Sequence, residues 1–364
     1  MQLRIGYLIG TRGFGGLELN QIKNAIELQA RGHEVFLFCI YNSPSHQYIL
    51  NTNLPVVLIQ THKHHYDFQA AFRLYQKIKK LKIEHLVLRA VFDMSIAATV
   101  KFLSSNTLKV HYFMEMQMTA NKKAWFRTFR YSFFDTWVCP LDYMAEQVIK
   151  NTRFSPERVY VIPSGVENRF FEFQIDPSAL RNKHHIPMDK KILGIVGRID
   201  PKKNQKLVIE ALVELKDTSF FVVIVGQVTP DQNGSTYLSE IKEYIQKHQL
   251  EEQVLFVPHT EEIPRYFNMF DFTIMASDNE SVGMVTLESL ATETPVIGSN
   301  CGGTKEILKK GGGILFETGN PKDLAEKIRH AFGSYEHQDN LKELVAAHKY
   351  STVAIQLESH LSQF

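Results

Sequence analysis

The sequence predicts an α/β protein made of two doubly wound parallel-sheet domains facing each other across a cleft. Three observations carry that expectation. Continuous apolar runs alternate with segments of helical period, which is the pattern of parallel strands covered on both faces. The alternation breaks in a polar, Pro-containing passage between residues 165 and 190 and then restarts. The chain has 364 residues, more than one hydrophobic core usually organises. Open sheets of this kind take ligands at the carboxyl ends of their strands, so two facing sheets imply a cleft between them.

In chain order, the strands of the first half are expected at "LRIGYLI", "EVFLFCI", "PVVLI", "HLVLR" and "LKVHYFM", with Leu17 to Ala30 as the first helix. The stretch "RVYVIPSGVENRFF" closes this half. The second half repeats the pattern at "KILGIVG", "FFVVIVG", "QVLFVP", "DFTIMA" and "PVIGS", and everything after Pro321 is helical in period. The expected organisation is one Rossmann-like domain over 1–170 and a second over 171–345. A terminal helix over 346–364 is expected to pack back on the first.

Composition narrows the function classes. With 44% hydrophobic and 22% charged residues the chain is an ordinary globular protein. Its net charge of +2, from 41 basic and 39 acidic residues, gives no reason to expect nucleic acid as a partner, although 15 histidines add charge in mild acid. Cys39, Cys139 and Cys301 are widely spaced and form no CxxC pair, so neither a disulfide framework nor a zinc site is indicated. No run approaches the ~18 apolar residues of a membrane span. The amino-terminal run continues into a Gly-rich turn, which marks it as a strand and not a signal peptide.

Three motifs carry chemistry. The first, "GTRGFGGLE", follows the first strand and opens a helix, where free amides and the helix dipole attract an anion. A dinucleotide fingerprint needs a third glycine, and Glu18 stands there instead. An oxidoreductase is thereby disfavoured. The second, "GRIDPKKNQ", sets Arg198 and Lys203 around Pro201, a planar fork and a point charge that suit an anionic ligand. The third is "SDNESVGMVTLESL" with its sequel "ATETPVIGSNCGGTKEIL". A buried strand over Asp271 to Ala276 leads into a loop, and a helix is expected from near Gly283 to about Thr292. Glu280 then precedes the helix mouth, Glu288 lies inside the helix, and the amides of Gly283, Met284 and Val285 form a diphosphate seat between them. A carboxylate on either side of such a seat suits a nucleotide-sugar, with ribose at one end and hexose at the other. The plain alternative is a pair of solvated glutamates.

These residues resemble retaining glycosyltransferase family 4. The Glu280 to Glu288 spacing is similar to its E-x7-E motif, and "GRIDPKK" to its G-R-x-x-x-x-K. "GFGGLE", "RGHEVFLF", "VYVIPSGVE" and "PVIGSNCGGTKEI" extend the resemblance over nearly the whole chain. It implies a GT-B fold of two Rossmann-like domains, with the nucleotide-sugar held mainly by the second. It places Arg198 and Lys203 on the donor diphosphate, Glu280 on the sugar hydroxyls, Glu288 on the ribose, and Gly15 and Gly16 on the far side of the diphosphate. It implies no metal and no cofactor, the nucleoside-diphosphate-sugar being a substrate, and this chain has no D-x-D triplet. The implied activity is retaining hexosyl transfer to a hydroxyl of a glycan or glycolipid, set in cytoplasmic synthesis of cell-envelope polysaccharide or lipopolysaccharide. The rival readings are a GT-B epimerase and a catalytically silent nucleotide-sugar-binding subunit.

The chain departs from the family pattern in several places. Glu293 stands where glycine is usual, Ser164 where Asn is frequent, and Val282 where Phe is frequent. Met114 aligns with the position at which many relatives carry a histidine near the sugar, leaving His111 as a further candidate sugar contact. The basic-aromatic stretch 121–134, "NKKAWFRTFRYSFF", suits either a helix packed on the sheet with charges outward or an interfacial element touching anionic lipid. Helical spacing alone does not expose the aromatics, so the packed helix is favoured.

Overall fold

A computed structural model describes residues 2–105, 107–172, 176–228, 232–336 and 338–364. Residues 173–175 of the passage joining the two halves therefore lie outside the described residues. The chain divides into two compact units, Met1–Gly165 with Tyr350–Phe364, and Val166–Lys349.

The first unit is a seven-stranded sheet of order β3-β2-β1-β4-β5-β6-β7. Its strands are β1 (Arg4–Ile9), β2 (Glu34–Ile40), β3 (Val56–Ile59), β4 (His85–Leu88), β5 (Lys109–Phe113), β6 (Thr136–Cys139) and β7 (Val159–Val161). All neighbouring pairs run parallel. Alternate side chains enter different cores, as the two-residue period of a strand requires. Ile5, Tyr7 and Ile9 of β1 pack with Ile22, Ala25 and Leu28 of the Gly16–Ala30 helix and with Val353, Leu357 and Leu361 of the Tyr350–Leu361 helix. Leu8 packs on the other face with Phe38, Leu88 and Trp137. Burial on both faces is why these strands read as continuous apolar runs.

The second unit is a six-stranded parallel sheet of order β10-β9-β8-β11-β12-β13. Its strands are β8 (Lys191–Val196), β9 (Phe220–Val225), β10 (Val254–Val257), β11 (Phe272–Met275), β12 (Val296–Ser299) and β13 (Gly313–Phe316). Leu193 and Ile195 of β8 and Val222 and Ile224 of β9 bury against Leu207, Val208, Ile241, Leu324 and Ile328 from three helices. Strand order reverses between β1 and β4 in the first unit and between β8 and β11 in the second. At such a switch point, adjacent loops leave toward opposite faces and open a crevice.

Three strands were not read as such from the sequence, β7 lying within the stretch "RVYVIPSGVENRFF" that closes the first half. β6 follows directly on the basic-aromatic stretch, whose helix occupies only Trp125–Tyr131. β13 begins at Gly313, after Gly311 and Gly312, where weak strand propensity hides an edge strand.

Candidate active site

The second unit's switch point gathers most of the motif residues. After β8, Asp200 accepts a hydrogen bond from the Lys202 amide at 2.9 Å and Pro201 opens a single 3-10 turn, Pro201–Lys203. Asn204, left-handed at φ 54°, begins the Gln205–Leu215 helix. The buried Gln205 then donates to the Arg198 carbonyl at 2.8 Å. This fixes the loop at both ends. Its cations differ in setting, since Arg198 is exposed while Lys203 is half-buried. Arg198 has no carboxylate partner among the described residues, whereas Lys203 Nζ meets Glu280 Oε2 at 2.8 Å.

Glu280 sits on the loop after β11, and its backbone is held by the "CGG" stretch after β12. The Gly303 amide donates to the Glu280 carbonyl at 3.0 Å. Gly302 lies at φ +51°, and a Cβ there would sit 1.8 Å from that same carbonyl oxygen. Only glycine permits so close an approach. Sequence reading found "CGGTKEI" as part of a family pattern but not this purpose.

The helix after Glu280 runs Met284–Ala291 with Gly283 as its N-cap and no side-chain cap, matching the expected bounds within a residue or two. Its mouth differs in one detail from the expected open seat. The Gly283 amide faces Glu280 Oε1 at 3.4 Å, so it is not an open donor, and Met284 and Val285 hold the two remaining first-turn positions. Glu288 is half-buried inside the helix, about one turn beyond Met284.

At the other end of this helix, Glu293 resolves its own departure from the pattern. It takes the left-handed conformation at φ 63°, and the Glu293 and Thr294 amides donate to the Leu290 and Ser289 carbonyls, completing a Schellman motif without glycine. The Glu293 carboxylate accepts from the Leu341 amide at 2.6 Å and pairs with Lys342 at 3.6 Å. These contacts offset the cost of a side chain in that conformation.

In the first unit, Gly15 is the extended N-cap of the Gly16–Ala30 helix. Glu18, which replaces the third glycine of a dinucleotide fingerprint, accepts from the Gly15 amide at 3.0 Å and from Thr11 Oγ1 at 3.0 Å. From the third helical position it thus holds the N-cap amide, the half of a capping box that a glycine N-cap allows. Nearby, Gly10 lies against a buried pair. Its amide donates to Asp93 Oδ2 at 3.1 Å, His62 Nε2 meets Asp93 Oδ1 at 2.9 Å, and a Cβ on Gly10 would fall 2.2 Å from Asp93 Oδ1. Burial raises the Asp93 carboxyl. For His62, burial opposes the charge, but the Asp93 hydrogen bond and the Lys63 carbonyl outweigh it and raise the imidazole.

A second network at the ends of β4 and β5 was also missed. Arg89 pairs with Glu115, Asn20 donates to Glu115, Ser164 Oγ donates to Glu115 at 3.4 Å, and Tyr350 OH donates to Asn20 at 3.1 Å. Arg89 is fully buried, and burial pulls its guanidinium down to about 10. The available signal was a charged residue within two positions of the end of each strand, Arg89 after β4 and Glu115 after β5.

His111 is not placed to touch a sugar. It is fully buried, with Nε2 3.1 Å from His85 Nδ1 and Nδ1 2.8 Å from Thr136 Oγ1, and His360 Nε2 lies 3.2 Å from that same hydroxyl. It belongs to a histidine cluster that ties the terminal helix to the sheet. Met114 is buried in the core. The packed-helix expectation for 121–134 also fails, because Trp125, Phe126 and Phe129 are all exposed.

Comparison with known proteins agrees with this architecture. Residues 14–169 match the family described as Glycosyltransferase Family 4, and residues 176–347 the family described as Glycosyl transferases group 1. Among curated proteins, a D-inositol 3-phosphate glycosyltransferase of Nocardioides sp. is 29% identical over 222 residues, covering 57% of this chain and 48% of that protein. The protein of the same name from Geodermatophilus obscurus is 30% identical over 196 residues, covering 51% and 42%. The chain spans about half the length of these relatives. Similar solved structures include a glycosyltransferase from Rickettsia africae, with TM-score 0.87, 17% identity and coverage of 100% and 98%. Anabaena HepE in complex with UDP and glucose gives TM-score 0.83, 18% identity and full coverage of both chains. At such identities these structures speak for the fold.

Proposed function

We propose that this chain, whose two halves match Glycosyltransferase Family 4 and Glycosyl transferases group 1, is a family 4 glycosyltransferase, a retaining, metal-independent hexosyltransferase acting from a nucleoside-diphosphate-sugar on a hydroxyl of a glycan or glycolipid. The observation that supports this most is the meeting of Lys203 and Glu280 at 2.8 Å. They come from the loops after β8 and β11, at the point where strand order reverses. A cation, a carboxylate and a helix mouth at one switch point suit an anionic donor that also bears hydroxyls.

In this reading the donor diphosphate draws Lys203 from Glu280 and gains Arg198, with the first-turn amides of Met284 and Val285 completing its contacts. Released from Lys203, Glu280 accepts hydrogen bonds from the hexose hydroxyls, and Glu288 does so from the ribose. The cations stabilise the negative charge that grows on the leaving nucleoside diphosphate, which is where preorganised donors act most strongly. No divalent ion is needed for that step. The setting is the cytoplasmic side of the cell envelope, in polysaccharide or lipopolysaccharide synthesis. Residues 121–134 make peripheral contact with anionic membrane there. Among the described residues no helix is long and apolar enough to cross a membrane.

The test is incubation with a panel of nucleotide-sugars, UDP-glucose included, with and without D-inositol 3-phosphate and with excess EDTA, followed by mass spectrometry. Slow donor hydrolysis that survives chelation is expected. An isomerised donor with no hydrolysis would point to an epimerase. Loss of all turnover on chelation, restored by manganese, would overturn the metal-independent mechanism.

A further inference from the structure

Three helices of the first unit, Phe68–Lys80, Met94–Leu103 and Trp125–Tyr131, carry large aromatics that the core does not absorb. Trp125 is 78% exposed, Phe102 69%, Phe68 68% and Phe129 57%. These are not scattered residues. Tyr66, Phe68, Phe102, Phe129 and Phe133 line one almost wholly apolar groove of about 210 Å³, and Phe133 meets both Phe102 and Phe129 edge-on, at 6.2 and 5.2 Å between ring centroids. A contiguous exposed apolar patch of this kind marks an interaction surface.

Charge decides the partner. None of the three helices contains an Asp or Glu, while they contain Arg73, Lys77, Lys79, Lys80, Lys101, Arg127 and Arg130. Lys101 is occupied by Asp135 at 2.8 Å, and Lys122 and Lys123 immediately precede the third helix. On the first helix, Phe68, Phe72 and Lys79 fall on one stripe by helical spacing, so a cation shares the face of the exposed rings. Asp67, between Tyr66 and Phe68, is occupied in accepting from the Lys63 and Ala70 amides as N-cap of the first helix, and aromatics flanked in this way by cations match a bilayer surface whose headgroups are anionic.

We propose that this three-helix aromatic face, and not the 121–134 segment alone, is the surface on which the protein docks to an anionic lipid bilayer, with Phe68 and Phe102 inserting beside Trp125 and Phe129. The inference rests on the peripheral-membrane reading above and widens it. The groove among the rings takes hydrocarbon from the lipid, and Lys79, Lys80 and Arg127 meet headgroup phosphates.

Cosedimentation with vesicles of phosphatidylcholine, with and without phosphatidylglycerol, separates the possibilities. The wild type should bind the anionic vesicles more tightly, with binding weakened by salt. Phe68→Ser combined with Phe102→Ser leaves 121–134 untouched and should weaken binding by about tenfold or more. Lys79→Ser with Lys80→Ser should weaken it about tenfold, on anionic vesicles only. As an independent readout, Phe102→Trp in a Trp125→Phe background should shift its fluorescence to the blue on anionic vesicles. If the wild type binds while both double variants bind equally well and Trp at 102 does not shift, the three-helix face is wrong and contact is confined to 121–134. If the wild type binds neither vesicle, the inference and the peripheral reading fall together.

Discussion

The two switch points treat their charges in opposite ways. In the first unit several charged groups at the carboxyl edge of the sheet are committed to one another, the buried Arg89 to the half-buried Glu115 and the buried His62 to the buried Asp93, while Arg12 of the Gly-rich loop stays exposed. In the second, Arg198 is exposed and the Lys203–Glu280 ion pair is half-buried. Charges locked in a dry site build the scaffold, because moving them is costly. Charges at a wet, glycine-seated helix mouth can change partner when an anion arrives. The same topological position has been used for rigidity in one sheet and for ligand exchange in the other.

That contrast breaks most easily at Glu115. Glu115→Ala leaves a buried guanidinium without its carboxylate and should cost about 3 to 5 kcal/mol of stability, read as a lower urea midpoint. A loss under about 1 kcal/mol would mean that this network does not hold the scaffold. Arg198→Ala should do the reverse, leaving the unfolding midpoint within about 0.5 kcal/mol while costing about 3 kcal/mol, or two powers of ten, in kcat. Glu280→Gln should come next, reducing turnover by about 100-fold through a misplaced sugar while nucleoside diphosphate binding in a calorimeter barely changes. Glu288→Gln should weaken donor and free nucleoside diphosphate alike and raise KM more than it lowers kcat. Wild-type behaviour in both glutamate variants would reduce the pair to solvated residues.

The smallest effect sharpens the comparison through pH. Burial pushes the His360 imidazole down to about 4, and burial likewise lowers His85 and His111, which face Lys101, Lys109, Glu84 and Asp135 as well as each other. Above about pH 6.5 these histidines are neutral in both folded and unfolded chains and contribute no slope. Below it the unfolded chain takes up protons that the folded cluster refuses, so stability is lost as pH falls from about 6.5 toward 4. For His360 alone the loss between pH 7 and pH 5 is about 2 kcal/mol. Urea midpoints should therefore fall in mild acid, and His360→Gln should flatten that dependence. An unchanged slope in the variant would show that His360 is not the group being titrated.

Much of this was legible in one dimension. Both sheets, the restart between the halves, the helix from Gly283 and the cations after β8 follow from apolar runs, glycine positions and local charge, because each is a property of neighbours in sequence. The Lys203–Glu280 contact joins residues 77 apart, and the Arg89–Glu115–Asn20–Tyr350 network gathers residues from four distant segments, so no local pattern announces either. His111 illustrates the limit. Its strand was read correctly, but the two-residue period of a strand says only that the ring faces one side of the sheet. Which helix covers that side was settled by the terminal segment.

Residue order thus determined what was local: two parallel-sheet units, a Gly-rich loop capped by Glu18, and a helix mouth preceded by a carboxylate. Tertiary structure decided which charges are buried and paired, which aromatics stay in water, and why Gly302 must be glycine. The reason is physical. Strand and helix formation depend on backbone conformation and on the spacing of apolar side chains over a few residues. Burial and ion pairing depend on which surfaces the sheet brings together, and parallel strands bring together loops that lie tens of residues apart.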